Sequence, residues 1–420
     1  MAFVWILGVY IAFIALFLLV MLFGESPAFE GTIVHSAHTF ITSRSCELIQ
    51  VGIQRACGER AARFCSGACD AFLNKPNPAL QIFYLVLIGG GWLLFATVAL
   101  PLIPGLYLSA IHRYTAPLAV LGCLTTFLLT SFCDPGVLTP SNVDAHLRAF
   151  KIDNQIYEEK VCGTCQLPRP ARSKHCSVCN RCVARFDHHC GWMNNCIGER
   201  NIRFFVAFLI GHTLLCWYGT YLIAQILRGE VDRRNLLPFV RAEGYLRPEE
   251  GWWGVAALLT QWLVTYFSNL VMLGAFTLVI SWLLASFATY HLYLIYKNTT
   301  TNETFKWAGY HRWLREEALE KAKADAATKP VNSGVLVAAL PSENHVREED
   351  EKGLSKGEGA RDVSRSMFRR LSRGWLSRTR WRNHVEMAIP EVKNIYDQGL
   401  FENFKEVLIP RSTRTGKKID

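Results

Sequence analysis

Five long apolar blocks dominate the hydropathy pattern of this 420-residue chain. Each reaches or approaches the roughly 20 apolar residues that a helix needs to cross a bilayer. A buried helix of a soluble protein seldom runs so long without a charge. The pattern therefore predicts an α-helical polytopic membrane protein with about five spans, not a soluble protein of two or three domains. The blocks cover residues 2–23, 81–100, 116–132, 204–227 and 252–296.

The first and the last block need interpretation. Block 2–23 lacks a preceding basic segment and is longer than the apolar core of a signal peptide, so we interpret residues 1–24 as a retained first span. Block 252–296 is long enough for two spans. We favour one span over about residues 270–296, preceded by an interfacial or re-entrant stretch, because Trp252 and Trp253 suit the headgroup layer.

A dense group of metal-binding residue types lies between the third and fourth blocks. Residues 162–196 hold seven of the fourteen cysteines and three histidines. Pairs of cysteines separated by two residues can bind one tetrahedral Zn²⁺. Ten such residues are two more than a pair of four-coordinate sites can use. The surplus lies within residues 187–190, where a spare cysteine and a spare histidine beside an aspartate suggest an activated thiolate.

The sequence Asp187-His188-His189-Cys190 stands inside the pattern C-x2-C-x9-H-C-x2-C-x2-C-x4-D-H-H-C-x5-C. This pattern resembles the cysteine-rich zinc-finger domain of the DHHC-type protein S-acyltransferases, or palmitoyltransferases. The chain departs from the family at Gly191, where proline is usual, and at Phe404, where tryptophan is frequent. Both departures bear on loop geometry and not on the chemistry. Flanking positions that also resemble the family are Asp134-Pro135-Gly136, Thr300-Thr301-Asn302-Glu303, and Asn403 with Val407.

Spacing alone neither divides the ligands between two zincs nor decides which adjacent histidine is the base. The resemblance implies both answers. His189 is then a ligand, His188 takes the proton of the nucleophile Cys190, and Asp187 orients His188. Two structural Zn²⁺ ions are implied, because four protein ligands leave no open position for Lewis-acid chemistry. The implied ligand sets are Cys162, Cys165, His175 and Cys182 for one zinc, and Cys176, Cys179, His189 and Cys196 for the other.

The implied activity is transfer of a palmitoyl group from acyl-CoA, the co-substrate, to cysteine thiols of membrane-associated proteins through an acyl-Cys190 intermediate. The expected partners are fatty acyl-CoA, substrate proteins with juxtamembrane cysteines, and the lipid bilayer. The competing interpretation is a membrane-anchored zinc adaptor without catalysis. Trp192 could pack near the thioester or be an ordinary interfacial aromatic residue. Basic side chains that could meet CoA phosphates, or serve only as surface charge, are Arg169, Arg172 and Lys174.

The net charge of +10 does not indicate nucleic acid, because the basic surplus lies close to the spans. Residues 133–203 carry ten lysines and arginines, which is typical of a cytosolic segment. Zinc thiolates also suit a reducing compartment. With the zinc domain cytosolic, parity assigns the other segments. We expect residues 25–80 and 298–420 to be cytosolic and 229–254 lumenal, with spans within 81–132, 204–228 and 255–297.

The remaining segments carry weaker signals. Residues 328–359 have the composition of a linker, and the basic residues 364–382 suit a helix on the membrane surface better than a nucleic-acid site. The sequons at Asn298 and Asn302 fall on the cytosolic side and are discounted. The lysines of Lys417-Lys418-Ile419-Asp420 match a dilysine signal for the endoplasmic reticulum, with the Golgi as the alternative. Reduced thiols, not a third metal site, are expected at Cys46, Cys57, Cys65 and Cys69, which contain no C-x2-C pair.

Overall fold

The computed structural model describes residues 31–73, 75–238, 251–328 and 392–414, together with scattered positions between 8 and 29. These residues belong to two compact units. One unit comprises Met1–Phe305 with Ile395–Asp420, and the other comprises Lys306–Asn394. The predicted first span lies mostly outside the described residues, as do the linker at 328–359, the basic segment 364–382 and the lysine pair at 417–418.

Four helices in the described part are long and apolar enough to cross a membrane. The prediction of a polytopic α-helical membrane protein is therefore confirmed for these four spans. Two helices precede them within residues 31–73, α1 (Ile33–Thr39) and the less apolar α2 (Ser45–Leu73), joined by a π-helical turn. The four apolar helices are α3 (Ala79–Val98, continued by a 3-10 turn to Leu102), α4 (His112–Phe132), α6 (Ile202–Arg233) and α8 (Ser268–Tyr296).

The apolar block at 252–296 forms two helices of unequal length. Helix α7 (Gly251–Tyr266) has 16 residues, fewer than the roughly 20 that cross a bilayer. Helix α8 has 29 residues and meets the length and hydropathy of a span. The block thus contributes one span with a short helix before it, as the tryptophan-rich start of the block suggests.

The spans pack around α6, which lies against both α4 and α8. One apolar cluster contains Phe95, Ile103 and Leu222. The other brings Tyr84, Phe127 and Phe205 together with Cys190. The predicted nucleophile is therefore part of the apolar core at one end of the four helices.

A small β-domain lies between α4 and α6 in the chain and consists of two antiparallel hairpins. The first pairs β1 (Lys174–Cys176) with β2 (Arg181–Val183), and His175 lies opposite Cys182. The second pairs β3 (His188–Cys190) with β4 (Asn195–Ile197), and His189 lies opposite Cys196. Helix α5 (Val143–Ala149) precedes the hairpins. Each hairpin thus sets one histidine and one cysteine side by side.

Three helices follow α8 within residues 297–328 and 392–414. Helix α9 (Thr301–Thr328) begins in the first unit, and its continuation is the described part of the second. The later helices are α10 (Leu400–Leu408), which packs on α8, and α11 (Arg411–Arg414), which packs on α5. The C-terminal segment therefore returns to the spans and to the β-domain.

Candidate active site and zinc centres

The first Cys/His cluster gathers the four residues that the resemblance assigns to one zinc. The ligand atoms of Cys162, Cys165, His175 and Cys182 all lie within 4.8 Å of one another. The Nδ1 atom of His175 is 3.6, 3.4 and 3.8 Å from the sulfurs of Cys162, Cys165 and Cys182. A tetrahedral zinc with ordinary bond lengths separates its sulfur and nitrogen ligands by about 3.6 Å. These side chains could therefore hold one Zn²⁺.

The second cluster repeats this geometry. It consists of Cys176, Cys179, His189 and Cys196, again within 4.8 Å of one another. The Nδ1 atom of His189 is 3.8, 3.3 and 3.7 Å from the three sulfurs. Three thiolates and one imidazole are a ligand set typical of structural zinc, and four protein ligands complete its coordination. Both clusters therefore fit zinc. When bound, the zinc of the second cluster would cross-link the two hairpins, and that of the first would tie Cys162 and Cys165 to the first hairpin.

The two clusters are related by a shift of 14 residues, which continues to the reactive cysteine. Cys162, Cys176 and Cys190 stand at intervals of 14, and the second cysteine of each pair falls at 165, 179 and 193. Position 193 is Met193, and the third copy has neither its histidine nor its last cysteine, because 203 is arginine and 210 is isoleucine. Cys190 is thus the first cysteine of an incomplete third C-x2-C turn.

Asp187, His188 and Cys190 form a separate group beside the second cluster. The Nδ1 atom of His188 lies 2.6 Å from Oδ2 of Asp187. The His188 imidazole also acts on the nearby Cys190 thiol, whose pKa it lowers. Cys190 is 8% exposed and Asp187 5%, while a quarter of the His188 side chain remains accessible. The arrangement is that of a nucleophile, a base and an orienting carboxylate.

Asp187 is fixed by the start of α9. Its Oδ1 atom accepts the main-chain N–H of Thr301 at 2.7 Å, and its Oδ2 atom accepts the Thr301 hydroxyl at 2.9 Å. The N–H of Asn302 donates to the Asp187 carbonyl at 3.1 Å. The segment that follows the last span is thus bonded to Asp187. This contact gives Thr301 a role that the sequence alone does not reveal.

These contacts set the charge state of the group. Burial would raise the pKa of Asp187, but the bonds from His188 and from the Thr301 N–H hold it below its ordinary value. Burial would lower the pKa of His188, but the hydrogen bond to Asp187 and the nearby Cys190 sulfur raise it to about 10. Burial would raise the pKa of the Cys190 thiol, and His188 lowers it instead. A thiolate–imidazolium pair is therefore favoured.

Aromatic side chains from two spans surround the base. The ring of Phe205 lies edge-on to His188, with 5.3 Å between centroids. His291, from α8, is 6.0 Å from His188 and 5.1 Å from Phe205, and it is 2% exposed. The base therefore lies where the zinc domain meets the apolar helices. The pattern of the last block gave no reason to single out His291, since one histidine in an apolar run is more often a core residue.

Arg172, one of the residues proposed to meet CoA phosphates, is completely buried. Its guanidinium makes a two-pronged ion pair with Glu303, at 2.8 Å for each bond, and a 3.0 Å bond to Glu406. It also donates to the side chain of Asn298 at 2.8 Å. Since buried charges are retained only when they are paired, Arg172 serves to hold the zinc domain, the end of α8 and α10 together. Sequence reasoning missed Glu406 because no local pattern marks a buried carboxylate.

Other predicted residues lie at the surface or at junctions. Trp192 is 42% exposed, Lys174 is exposed and Arg169 is partly buried, so these three remain open to a solvent-borne ligand. Asn403 donates to the Tyr296 carbonyl at 2.8 Å and thereby holds α10 on the end of α8.

The Asp134-Pro135-Gly136 turn connects α4 to the zinc domain. Oδ1 of Asp134 accepts the N–H groups of Gly136 and Val137 at 3.0 and 2.9 Å, and Oδ2 pairs with Arg200 at 2.8 Å. Gly136 has a φ of 102°, which L side chains rarely adopt. Its carbonyl accepts the Ala184 N–H at 2.9 Å. The glycine is therefore needed where the chain leaves the span and joins the hairpins.

Comparison with known proteins bears on the whole chain. The sequence model described as DHHC palmitoyltransferase matches residues 155–308. Palmitoyltransferase SWF1 of Yarrowia lipolytica is 29% identical over 412 residues, 95% of this chain and 96% of that protein. Palmitoyltransferase ZDHHC4 of Bos taurus is 33% identical over 245 residues, 57% of this chain and 68% of that protein. The Mus musculus protein of that name is 40% identical over 194 residues, covering 45% and 55%.

The match to the family model spans the two zinc clusters, the reactive group and the Thr301 contact, and the relatives extend it into the membrane helices. The chain therefore belongs to the DHHC palmitoyltransferase family and is a protein S-acyltransferase.

Proposed function

We propose that this membrane enzyme transfers a fatty acyl group, most often palmitoyl, from acyl-CoA to cysteine thiols of proteins at the membrane surface, with Cys190 carrying the acyl group. The observation that supports this best is the group Asp187–His188–Cys190, with its 2.6 Å Asp187–His188 bond, beside clusters that use eight other ligands. A zinc adaptor would have no use for this group.

In the first step the Cys190 thiolate attacks the thioester carbonyl carbon of acyl-CoA. The C–S bond to CoA then breaks, and the CoA sulfur takes the proton held by His188. The products are acyl-Cys190 and free CoA. Asp187 keeps the imidazole in the orientation that serves this transfer. One thioester replaces another, so no further energy source is required.

In the second step His188 takes the proton of a substrate cysteine, whose thiolate attacks the carbonyl carbon of acyl-Cys190. The bond to the Cys190 sulfur breaks, and the thiolate–imidazolium pair is restored. An acyl chain gains about 0.8 kcal/mol for each CH₂ that leaves water, so it favours a site where zinc domain and spans meet. Phe205, from α6, lies at that junction beside His188. The zinc ions, when bound, hold the two hairpins in place.

The test uses the purified full chain and labelled palmitoyl-CoA. Acyl transfer predicts a protein adduct that hydroxylamine removes and that maps to Cys190. Cys190→Ser should give no such adduct. If the wild-type protein forms no adduct although it holds two zincs, the adaptor alternative is favoured instead.

We also propose that the zinc domain faces the cytosol, because residues 133–203 are rich in lysine and arginine. Thr301, at the start of the C-terminal tail, bonds to Asp187 of the zinc domain. This contact supports a cytosolic location for the start of the tail as well. The sequons at Asn298 and Asn302 should then stay unmodified in a glycosylating cell. A shift on endoglycosidase treatment that maps to either asparagine would contradict this orientation.

Residence in the endoplasmic reticulum is proposed from the pair Lys417 and Lys418, with the Golgi as the alternative. Such a pair acts as a receptor-read address and not as an anchor. Replacing both lysines by serine should move the enzyme to the Golgi or beyond in imaged cells. A doubly substituted protein that stays in place would refute this role.

A further inference from the structure

The start of α3 lies against the loop that carries the reactive cysteine. The side-chain amide of Gln81 donates to the main-chain carbonyl of Met193 at 2.8 Å. The ring of Phe83 lies 6.0 Å from that of Trp192. A Cβ atom on Gly191 would stand 3.0 Å from the side chain of Leu80, so the glycine allows this close approach. A span more than a hundred residues away in the chain therefore contacts the loop Cys190–Met193.

That loop has the spacing of the zinc-binding turns but a different hydrogen bond. In the first two copies the N–H of the second cysteine donates to the sulfur of the first, at 3.4 Å for Cys165 to Cys162 and for Cys179 to Cys176. In the third copy the Met193 N–H donates to the main-chain carbonyl of Cys190 at 3.1 Å. Each of the first two turns has two cysteines that a metal would fix. The third turn has one cysteine, Cys190, which belongs to neither metal cluster.

Other contacts replace the missing ligand in the third turn. Met193 is 1% exposed, and the hydroxyl of Ser131 lies 3.6 Å from its sulfur. The only polar side chain recorded on the Met193 carbonyl, within the described part of the chain, is Gln81. This bond fixes the peptide unit that follows Met193 and thereby restrains the turn that carries Cys190.

We propose that Gln81 is a positioning residue for acyl transfer: it holds the Met193 carbonyl from the start of α3 and so fixes the turn that presents Cys190. This rests on the proposed role of Cys190. When the sulfur forms its bond to the carbonyl carbon, negative charge passes from sulfur to the carbonyl oxygen two bonds away. A Cys190 sulfur displaced from its position would attack that carbon less readily. Loosening the turn should slow the chemical step without weakening acyl-CoA binding.

The test measures single-turnover acylation of the full chain in detergent over a range of palmitoyl-CoA concentrations. Gln81→Met keeps the length of the side chain and removes the donor. Its acylation rate at saturation should fall about tenfold, because small displacements of a reacting group are costly. The half-saturating concentration should change by less than about twofold, and zinc content should stay at two. Gln81→Glu, whose carboxylate cannot donate, should lose the rate in the same way.

The matched control is Gln261→Met, at an exposed glutamine of α7 that should leave the rate unchanged. An unchanged rate in both Gln81 variants would overturn the proposal. So would a higher half-saturating concentration at an unchanged rate, which indicates acyl-CoA binding, or loss of zinc in both variants, which indicates a purely structural role. Wild-type protein and Cys190→Ser in the same assay test the role of Cys190 itself. A failure of that role is therefore distinguished from a failure of the Gln81 proposal.

Discussion

The two hairpins of the zinc domain pair their strands in the same register, but the cysteine that follows the histidine has a different role in each. In both, a histidine lies across the ladder from a cysteine, His175 opposite Cys182 and His189 opposite Cys196. The cysteine after the histidine differs in role. In the first hairpin it is Cys176, which belongs to a zinc cluster, and in the second it is Cys190, which belongs to none.

The residue before the histidine differs as well. It is Lys174 in the first hairpin, where its ammonium lies exposed over the ring of Phe186. It is His188 in the second, where Asp187 holds the imidazole at 2.6 Å. The comparison teaches that a metal-binding turn needs few changes to present a reactive thiol. It loses the second cysteine and gains a histidine, held by an aspartate, beside the first.

The largest effect is expected at the matched cysteines. Cys190→Ser should abolish acyl transfer and keep two zincs per chain, because Cys190 lies outside both clusters. Cys176→Ser should lose about one zinc and unfold the domain at lower temperature, since metal binding and folding are coupled. Acyl adducts by mass spectrometry and zinc by elemental analysis measure both. Loss of zinc in Cys190→Ser would mean that the two hairpins do not differ as described.

The adjacent histidines give the next contrast. His188→Ala should slow self-acylation about a hundredfold or more with zinc retained, because a general base typically contributes that much. His189→Ala should instead release zinc and destabilise the domain. The assays are single-turnover acylation and zinc content. Equal zinc contents in the two variants would contradict the division of roles.

Two arginines just before the first hairpin differ in burial, and their variants distinguish a structural role from a ligand-binding role. Arg172→Met should destabilise the protein by about 3–5 kcal/mol, because it leaves the buried Glu303 carboxylate without its cationic partner. Glu406 keeps its ion pairs with Arg185 and Arg411. Arg169→Met, at a partly buried site, should change stability little. Thermal unfolding followed by thiol accessibility compares them. Equal unfolding temperatures would refute the structural role of Arg172.

The smallest effect is expected at Thr301, which bonds to Asp187 from outside the second hairpin. Thr301→Val removes the 2.9 Å hydroxyl bond to Asp187 and leaves the 2.7 Å main-chain bond in place. The acylation rate should therefore fall only severalfold, roughly the effect of about 1 kcal/mol from one hydrogen bond. Thr125→Val is the control, because that exposed hydroxyl bonds only to the Leu121 carbonyl. If the control slows acylation as much, the bond to Asp187 has no special effect.

Much of this architecture could be predicted from the sequence, because its signals are local. Length and hydropathy identify the spans α3, α4, α6 and α8, and cysteine spacing identifies the zinc-binding residue types. The 14-residue interval from Cys176 to Cys190 was also present in the sequence and would have marked Met193 as a substituted ligand position. Its meaning becomes clear only when the two hairpins are seen in one register.

The long-range contacts could not be predicted in this way. The sequence suggested a surface charge or a CoA contact at Arg172, because its partners Glu303 and Glu406 lie 131 and 234 residues away. The bond of Gln81 to Met193 likewise joins residues that are distant in the sequence. Pairing of buried polar groups is decided by the packed fold, and a single sequence contains no record of it.

The second hairpin also contacts every span that the structure describes. Gln81 of α3 bonds to Met193, and Asn195 donates to the carbonyls of Thr130 and Cys133 at the end of α4. Phe205 of α6 and His291 of α8 flank His188. A bilayer thinner than these helices makes them tilt, at a cost of a fraction of a kcal/mol per ångström of mismatch. Such tilts would strain the reactive turn, so the lipid around the enzyme acts mechanically on its chemistry.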